Sequence, residues 1–173
     1  MPELVRAQIR DVPDFPKTGI VFKDITTAIK QPDTFKRIIN FLTEEFKNAD
    51  IDYIAAIESR GFIFGAPLAC NLDAGLVIIR KPGKLPAKVE QVTYDLEYGS
   101  DSIEIHSDAI EPGKKVLIID DLLATGGTSA AACQLVQKLG GIPVAMAFVV
   151  ELAFLNGRGK LPKDLKIFSM VEY

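Results

Sequence analysis

At 173 residues, 48% hydrophobic and 25% charged, with a net charge of −3, the chain is long enough for one domain with a real core and carries no global basic field for DNA or RNA. The N-terminal MPELVRAQIRDV is charged where a signal peptide is apolar, and the longest apolar run, IPVAMAFVV, has nine residues against the roughly 20 that a spanning helix needs. A soluble, cytoplasmic protein with no nucleic-acid or membrane partner is therefore expected.

In chain order, DTFKRIINFLTEEFKN (33–48) has the apolar period of a helix, and YIAAIE (53–58) reads as a strand followed by the turn ESRG. Cys70 in PLACNL and Cys133 in AAACQL sit among small apolar residues, which suits buried free thiols better than a redox pair. GLVIIR (75–80) is a second strand. After it IRKPGKLPAK gathers Arg80, Lys81, Lys84 and Lys88, a cluster that solvation alone would account for. Residues 88–107, KVEQVTYDLEYGSDSIEIHS, place strand-like runs on both sides of a GSD turn and read as a hairpin inserted between core strands. The single histidine, His106, alternates with apolar residues there, and no G-x-S-x-G elbow accompanies it, so a Ser-His-Asp hydrolase is disfavoured. KVLIID (115–120), IPVAMAFVV (142–150) and LKIFSMV (165–171) are further strands, and a helix over 128–139 stops at Gly140-Gly141.

Strands alternating with helices predict an α/β domain over residues 1–173: a mostly parallel five-stranded sheet flanked by helices, with ligand loops at the carboxyl ends of the strands. The most informative loop lies in VLIIDDLLATGGTS (116–129). The strand is expected to end at Asp120 and the next helix to start near Thr128 or Ser129, both good N-cap residues. Gly126 and Gly127 allow backbone N–H groups to converge, and the helix dipole completes an anion cradle. The loop has neither the lysine of a Walker A motif nor the spacing of a dinucleotide fingerprint. Asp120 and Asp121 beside an anion site call for a ligand that carries a diol as well as a phosphate, since ionised carboxylates only accept. A ribose 5-phosphate does both, whereas two solvated acids and a helix cap would explain Asp-Asp alone.

This stretch resembles the phosphoribosyl-pyrophosphate signature of type I phosphoribosyltransferases. FPKTGIVFKDIT (15–26), ESRGFIFG (58–65), IRKPGKLP (79–86) and YDLEYG (94–99) make the whole chain similar to the adenine-specific branch of that family. Lys23 stands where arginine is usual. The resemblance implies the type I fold with an N-terminal lid (15–30), and a basic loop and hairpin flap (80–107). It implies transfer of phosphoribose to adenine, giving AMP and pyrophosphate in purine salvage, by a homodimer with magnesium bound mainly through phosphoribosyl pyrophosphate and water. No protein side chain is expected as a metal ligand.

By the same resemblance, backbone groups of Val21 and Lys23 read the base edge and Phe22 stacks on it. Ser59, Arg60, Arg80, Lys81 and Lys84 meet pyrophosphate, Arg80 and Lys84 partly across a dimer interface. Ala124, Thr125, Gly126, Gly127 and Thr128 hold the 5′-phosphate, Tyr98 also binds substrate, and Glu97 handles the proton of the base. Two rival readings share the sugar site: a 6-oxopurine phosphoribosyltransferase, differing at the lid, and a phosphoribosyl-pyrophosphate sensor without catalysis.

Overall fold

In a computed structural model that describes residues 1–15, 18–95 and 99–173, the chain opens with a short helix α1 (Pro2–Arg6) and an antiparallel pair, β1 (Arg10–Pro13) and β2 (Val21–Asp24). Helices α2 (Thr26–Ile29) and α3 (Pro32–Phe46) follow. Pro32, with φ already helical and no N–H to lose, opens α3, whose buried face is Ile38, Ile39, Leu42 and Phe46. Then come β3 (Tyr53–Ile57), α4 (Gly61–Asn71), β4 (Gly75–Ile79), the hairpin β5 (Val89–Asp95) and β6 (Ser100–His106), β7 (Lys115–Leu123), α5 (Gly127–Lys138) and β8 (Ile142–Glu151). Two 3₁₀ turns, Ala153–Leu155 and Gly157–Lys160, lead to the last strand, β9 (Lys166–Glu172).

The central sheet has five parallel strands in the order β4-β3-β7-β8-β9. Strand alternation divides its side chains between two buried faces. Ile54, Ala56, Leu117, Ile119, Ala145 and Ala147 pack with α3 and α4, while Ala55, Ile57, Ile118, Met146 and Phe148 pack with α5 and the hairpin. Such two-sided burial is why these strands read as continuous apolar runs. Counting core strands along the chain, the order is 2-1-3-4-5, so the winding reverses between β3 and β7. The crevice at that reversal, beyond the carboxyl ends of the two strands, is where open α/β sheets bind ligands.

Several boundaries differ from expectation. β7 runs three residues past Asp120, because Leu122 and Leu123 keep pairing with Val150 and Glu151 of β8. Ser100 and Asp101 pair with Asp95 and Tyr94, so they belong to β6 and not to the hairpin turn. The base of the hairpin is core: Ile103 and Ile105 are fully buried, worth about 1.5–3 kcal/mol each. A bridge between Arg80 and Glu104 ties it to the sheet edge. Cys133 is buried as expected, but Cys70 falls on the exposed side of α4; both are free thiols. Helix α5 ends in a Schellman motif, with Gly140 at φ +83° and the Gly141 N–H reaching the Val136 carbonyl at 3.0 Å. Among the described residues, no helix is long and apolar enough to cross a membrane.

Candidate active site

Three features meet at the carboxyl edge of the sheet. The first is the turn from β7 into α5. Neither Thr128 nor Ser129 caps this helix. The N-cap is Gly126, held at φ +80°, a backbone state that other residues reach only with strain. With Asp120, Leu122 and Ser129, residues 124–128 line a cavity of about 80 Å³ at the helix N-terminus, where free N–H groups and the dipole favour an anion. The Thr128 hydroxyl donates to the Tyr94 hydroxyl at 3.0 Å, which links this loop to the hairpin.

The second feature is the acidic pair, whose two members are not equivalent. Asp121 is buried and its carboxylate takes the Nε of Arg60. Asp120 accepts the Asp121 N–H at 2.8 Å. Burial, and then the charge of Asp121, push its carboxyl well above the usual carboxylate range. Burial works against the Arg60 cation, but the Asp121 carboxylate more than offsets it and raises the guanidinium pKa. Arg60 sits at the N-cap of α4. The following Gly61 makes its close approach to β7, where a Cβ would stand 2.9 Å from the Ile119 carbonyl and 3.2 Å from Asp120 Oδ1. The glycine of Ser59-Arg60-Gly61 thus lets the turn after β3 pack closely against β7.

The basic loop after β4 is gathered onto one carboxylate. Glu58, at the end of β3, accepts Arg80 Nε at 2.7 Å and the Lys81 N–H at 2.7 Å, and Lys84 Nζ lies 3.3 Å away. Burial opposes the charge on Glu58, yet these donors hold its carboxyl below the usual range. The Lys81 ammonium bonds Asp101 and the Tyr94 hydroxyl, the latter at 3.1 Å.

The third feature is the antiparallel pair β1–β2, whose second strand falls in the segment 15–30 expected as a lid. Arg10 of β1 pairs with Asp24 of β2, and Asp24 also accepts the Thr26 N–H and hydroxyl at 2.9 and 2.6 Å. The Thr26 bonds first, and Arg10 next, lower the Asp24 pKa to about 2. Alternation along β2 turns Phe22 away from Val21 and Lys23. The Phe22 ring meets Phe15 edge-on at 5.4 Å and has the Arg60 guanidinium 5.8 Å from its centre. On the other side, Val21 and Lys23 help to line a cavity of about 390 Å³, closed by Leu152, Phe154, Leu155 and Tyr173. Phe22 is not in that lining. The wall from residues 152–155 was not anticipated, because a short apolar run after a strand carries no ligand motif.

Among the described residues, no group of three or more His, Cys, Asp or Glu side chains is placed to hold a metal ion. Glu97 and Tyr98 lie outside the described residues.

A model of the phosphoribosyl transferase domain matches residues 26–172. The adenine phosphoribosyltransferase of Chloroflexus aurantiacus is 56% identical over 165 residues, covering 95% of both chains. The crystal structure of adenine phosphoribosyltransferase from Thermoanaerobacter pseudethanolicus superposes with a TM-score of 0.96 at 50% identity, covering 100% of both chains. That from Saccharomyces cerevisiae, complexed with an imino-altritol bisphosphate and adenine, gives 0.91 at 42% identity, covering 98% of this chain and 97% of that one.

Proposed function

The chain belongs to the adenine phosphoribosyltransferase family, and from that premise we propose that it transfers the 5-phosphoribosyl group of phosphoribosyl pyrophosphate to adenine, giving AMP and pyrophosphate in cytoplasmic purine salvage. The observation that carries the reading is the arrangement along one sheet edge: a cavity under the lid, the Asp120-Asp121 pair, and an anion cradle at the start of α5.

In this reading the N–H groups of residues 124–128 hold the 5′-phosphate, and Asp120 and Asp121 face the 2′- and 3′-hydroxyls. The same carboxylates set a negative potential beside a C1 carbon that becomes cationic as the glycosidic bond changes hands. Arg60, Arg80, Lys81 and Lys84 neutralise the departing pyrophosphate, and Ser59 hydrogen-bonds to it. The base lies in the lid cavity, where backbone groups of Val21 and Lys23 read its edge. A carbonyl placed to accept from a 6-amino group repels the 6-oxygen of hypoxanthine or guanine. Glu97, flanked by Tyr98, takes the proton of the base. Two carboxylates at the diol, with no larger ligand cluster among the described residues, would suit magnesium held mostly by substrate oxygens and water, where it would supply charge neutralisation.

A panel of purine bases with phosphoribosyl pyrophosphate and magnesium tests the assignment. Adenine is expected to be used at least about 100-fold more efficiently than hypoxanthine or guanine. Comparable turnover of hypoxanthine would instead assign the site to 6-oxopurines.

The working form is proposed to be a two-fold homodimer in which Arg80 and Lys84 serve the partner's site in part. Mixing Arg80→Ala and Asp121→Asn subunits, each weakly active alone, is expected to restore activity through hybrid sites. Failure to recover activity in demonstrated hybrid dimers would place Arg80 in its own subunit's site.

A further inference from the structure

One segment, residues 152–160, borders both the lid cavity and the phosphate cradle. On its outer side Leu152, Phe154 and Leu155 wall the lid cavity. On its inner side Gly157 is pressed against the cradle: a Cβ on Gly157 would stand 2.3 Å from the Ala124 carbonyl oxygen, and one on Gly126 would stand 2.2 Å from the Gly157 carbonyl oxygen. Both encounters are with backbone, so neither can be relieved by turning a side chain. The segment and the cradle are therefore in register to within tenths of an ångström.

The segment begins under backbone control, the Leu152 N–H on the Leu123 carbonyl and the Ala153 N–H on the Tyr173 carbonyl, both at 2.9 Å. Its far end is fixed by one side chain. Arg158 forks onto the buried carboxylate of Glu151, Nε to Oε1 and Nη2 to Oε2, each at 2.7 Å, and its Nη1 donates to the Ile167 carbonyl at 3.0 Å. Ser169 adds a hydroxyl donor to Glu151. Burial disfavours the Glu151 carboxylate, but Arg158 and Ser169 reverse that and lower its pKa. A planar fork on a buried acid fixes orientation as well as distance, which a lysine ammonium cannot do.

Resting on the transferase reading above, we propose that Arg158 is a positioning residue for both substrates: clamped by Glu151, it sets the one segment that forms a wall of the base cavity and the backstop of the phosphate cradle. It touches neither ligand and acts through Leu155 on one side and Gly157 on the other.

The test compares the full-length wild type with Arg158→Lys, Glu151→Gln and Gly157→Ala. Ile39→Val in α3 serves as a control that loosens the core away from the segment. Arg158→Lys and Glu151→Gln are expected to raise KM for adenine and for phosphoribosyl pyrophosphate together, by about 5- to 50-fold, with kcat little changed. Gly157→Ala is expected to raise KM for phosphoribosyl pyrophosphate more than for adenine, and Ile39→Val to raise neither. Amide hydrogen exchange over 124–127 and 152–157 is expected to quicken together in the clamp variants and not in the control. A rise in only one KM, or unchanged exchange at 124–127, would overturn the proposal. If Arg158→Lys melts below the assay temperature, the near-isosteric Glu151→Gln decides by the same readouts. A wild type that uses neither substrate would remove the transferase reading, while the exchange comparison, which needs no substrate, would still decide the clamp.

Discussion

Asp121→Asn is expected to lower turnover of phosphoribosyl pyrophosphate by about 10- to 1,000-fold while adenine binding changes little. The buried Asp121 carboxylate is the ion partner of Arg60. Its amide replacement removes a charge from the developing cation and also frees Arg60 from the loop opposite the cradle. Asp120→Asn is expected to cost activity too, since one acceptor oxygen at the proposed diol contact becomes an N–H group that cannot accept from a hydroxyl. The two variants should separate in stability. The Asp120 pKa in the fold lies well above its usual 3.8, because of burial and then the Asp121 charge. Its stabilising contribution is therefore present at low pH and lost as pH rises through the raised value. Asp120→Asn removes this pH-dependent cost, and it is therefore expected to raise Tm at pH 7 more than at pH 4 while lowering activity. Calorimetric Tm at pH 4 and pH 7 checks this, with the larger gain expected at pH 7. A double variant with wild-type turnover would remove the diol role.

The same pair shows where sequence reasoning stops. Central strands were legible because burial on both faces leaves unbroken apolar runs, as in VLII of β7 and AMAFVV of β8. Their spatial order was not, because nothing local distinguishes the neighbour of β3 on one side from that on the other. Asp-Asp reads as a strand end, yet Leu122 and Leu123 continue to pair, a tertiary choice made by β8. The glycines of the cradle were found for their φ freedom. That Gly126 must also admit the carbonyl of Gly157, 31 residues further along the chain, is a contact across the fold. The lid shows the reverse case: β1 escaped notice because Arg10–Pro13 is short and polar and carries a proline, an edge strand with little pattern. Phe22 was singled out by type, but strand alternation decides which way an aromatic faces. The alternation turns it to Arg60 and leaves Tyr173 and Phe154 as the aromatic part of the lid cavity.

Glu97→Gln is expected to reduce the chemical step by about 10²- to 10⁴-fold, the usual contribution of a positioned general acid or base. Glutamine keeps the size of the side chain and one acceptor oxygen but cannot carry the proton of the base. The contacts proposed to bind adenine, at Val21, Lys23 and the wall from 152 to 155, are untouched, so adenine affinity should hold. If Glu97 instead only helped to close the hairpin, the loss would appear in binding and be alike for glutamine and alanine. Steady-state kcat is a poor judge here, since slow product release hides a chemical defect. The deciding measurement is single-turnover AMP formation at saturating adenine for wild type, Glu97→Gln and Glu97→Ala. A large fall in the glutamine variant with unchanged adenine binding supports proton transfer at Glu97. An unchanged single-turnover rate would take Glu97 out of the chemistry and leave the reaction to the electrostatics of Asp120, Asp121 and the pyrophosphate-binding cations.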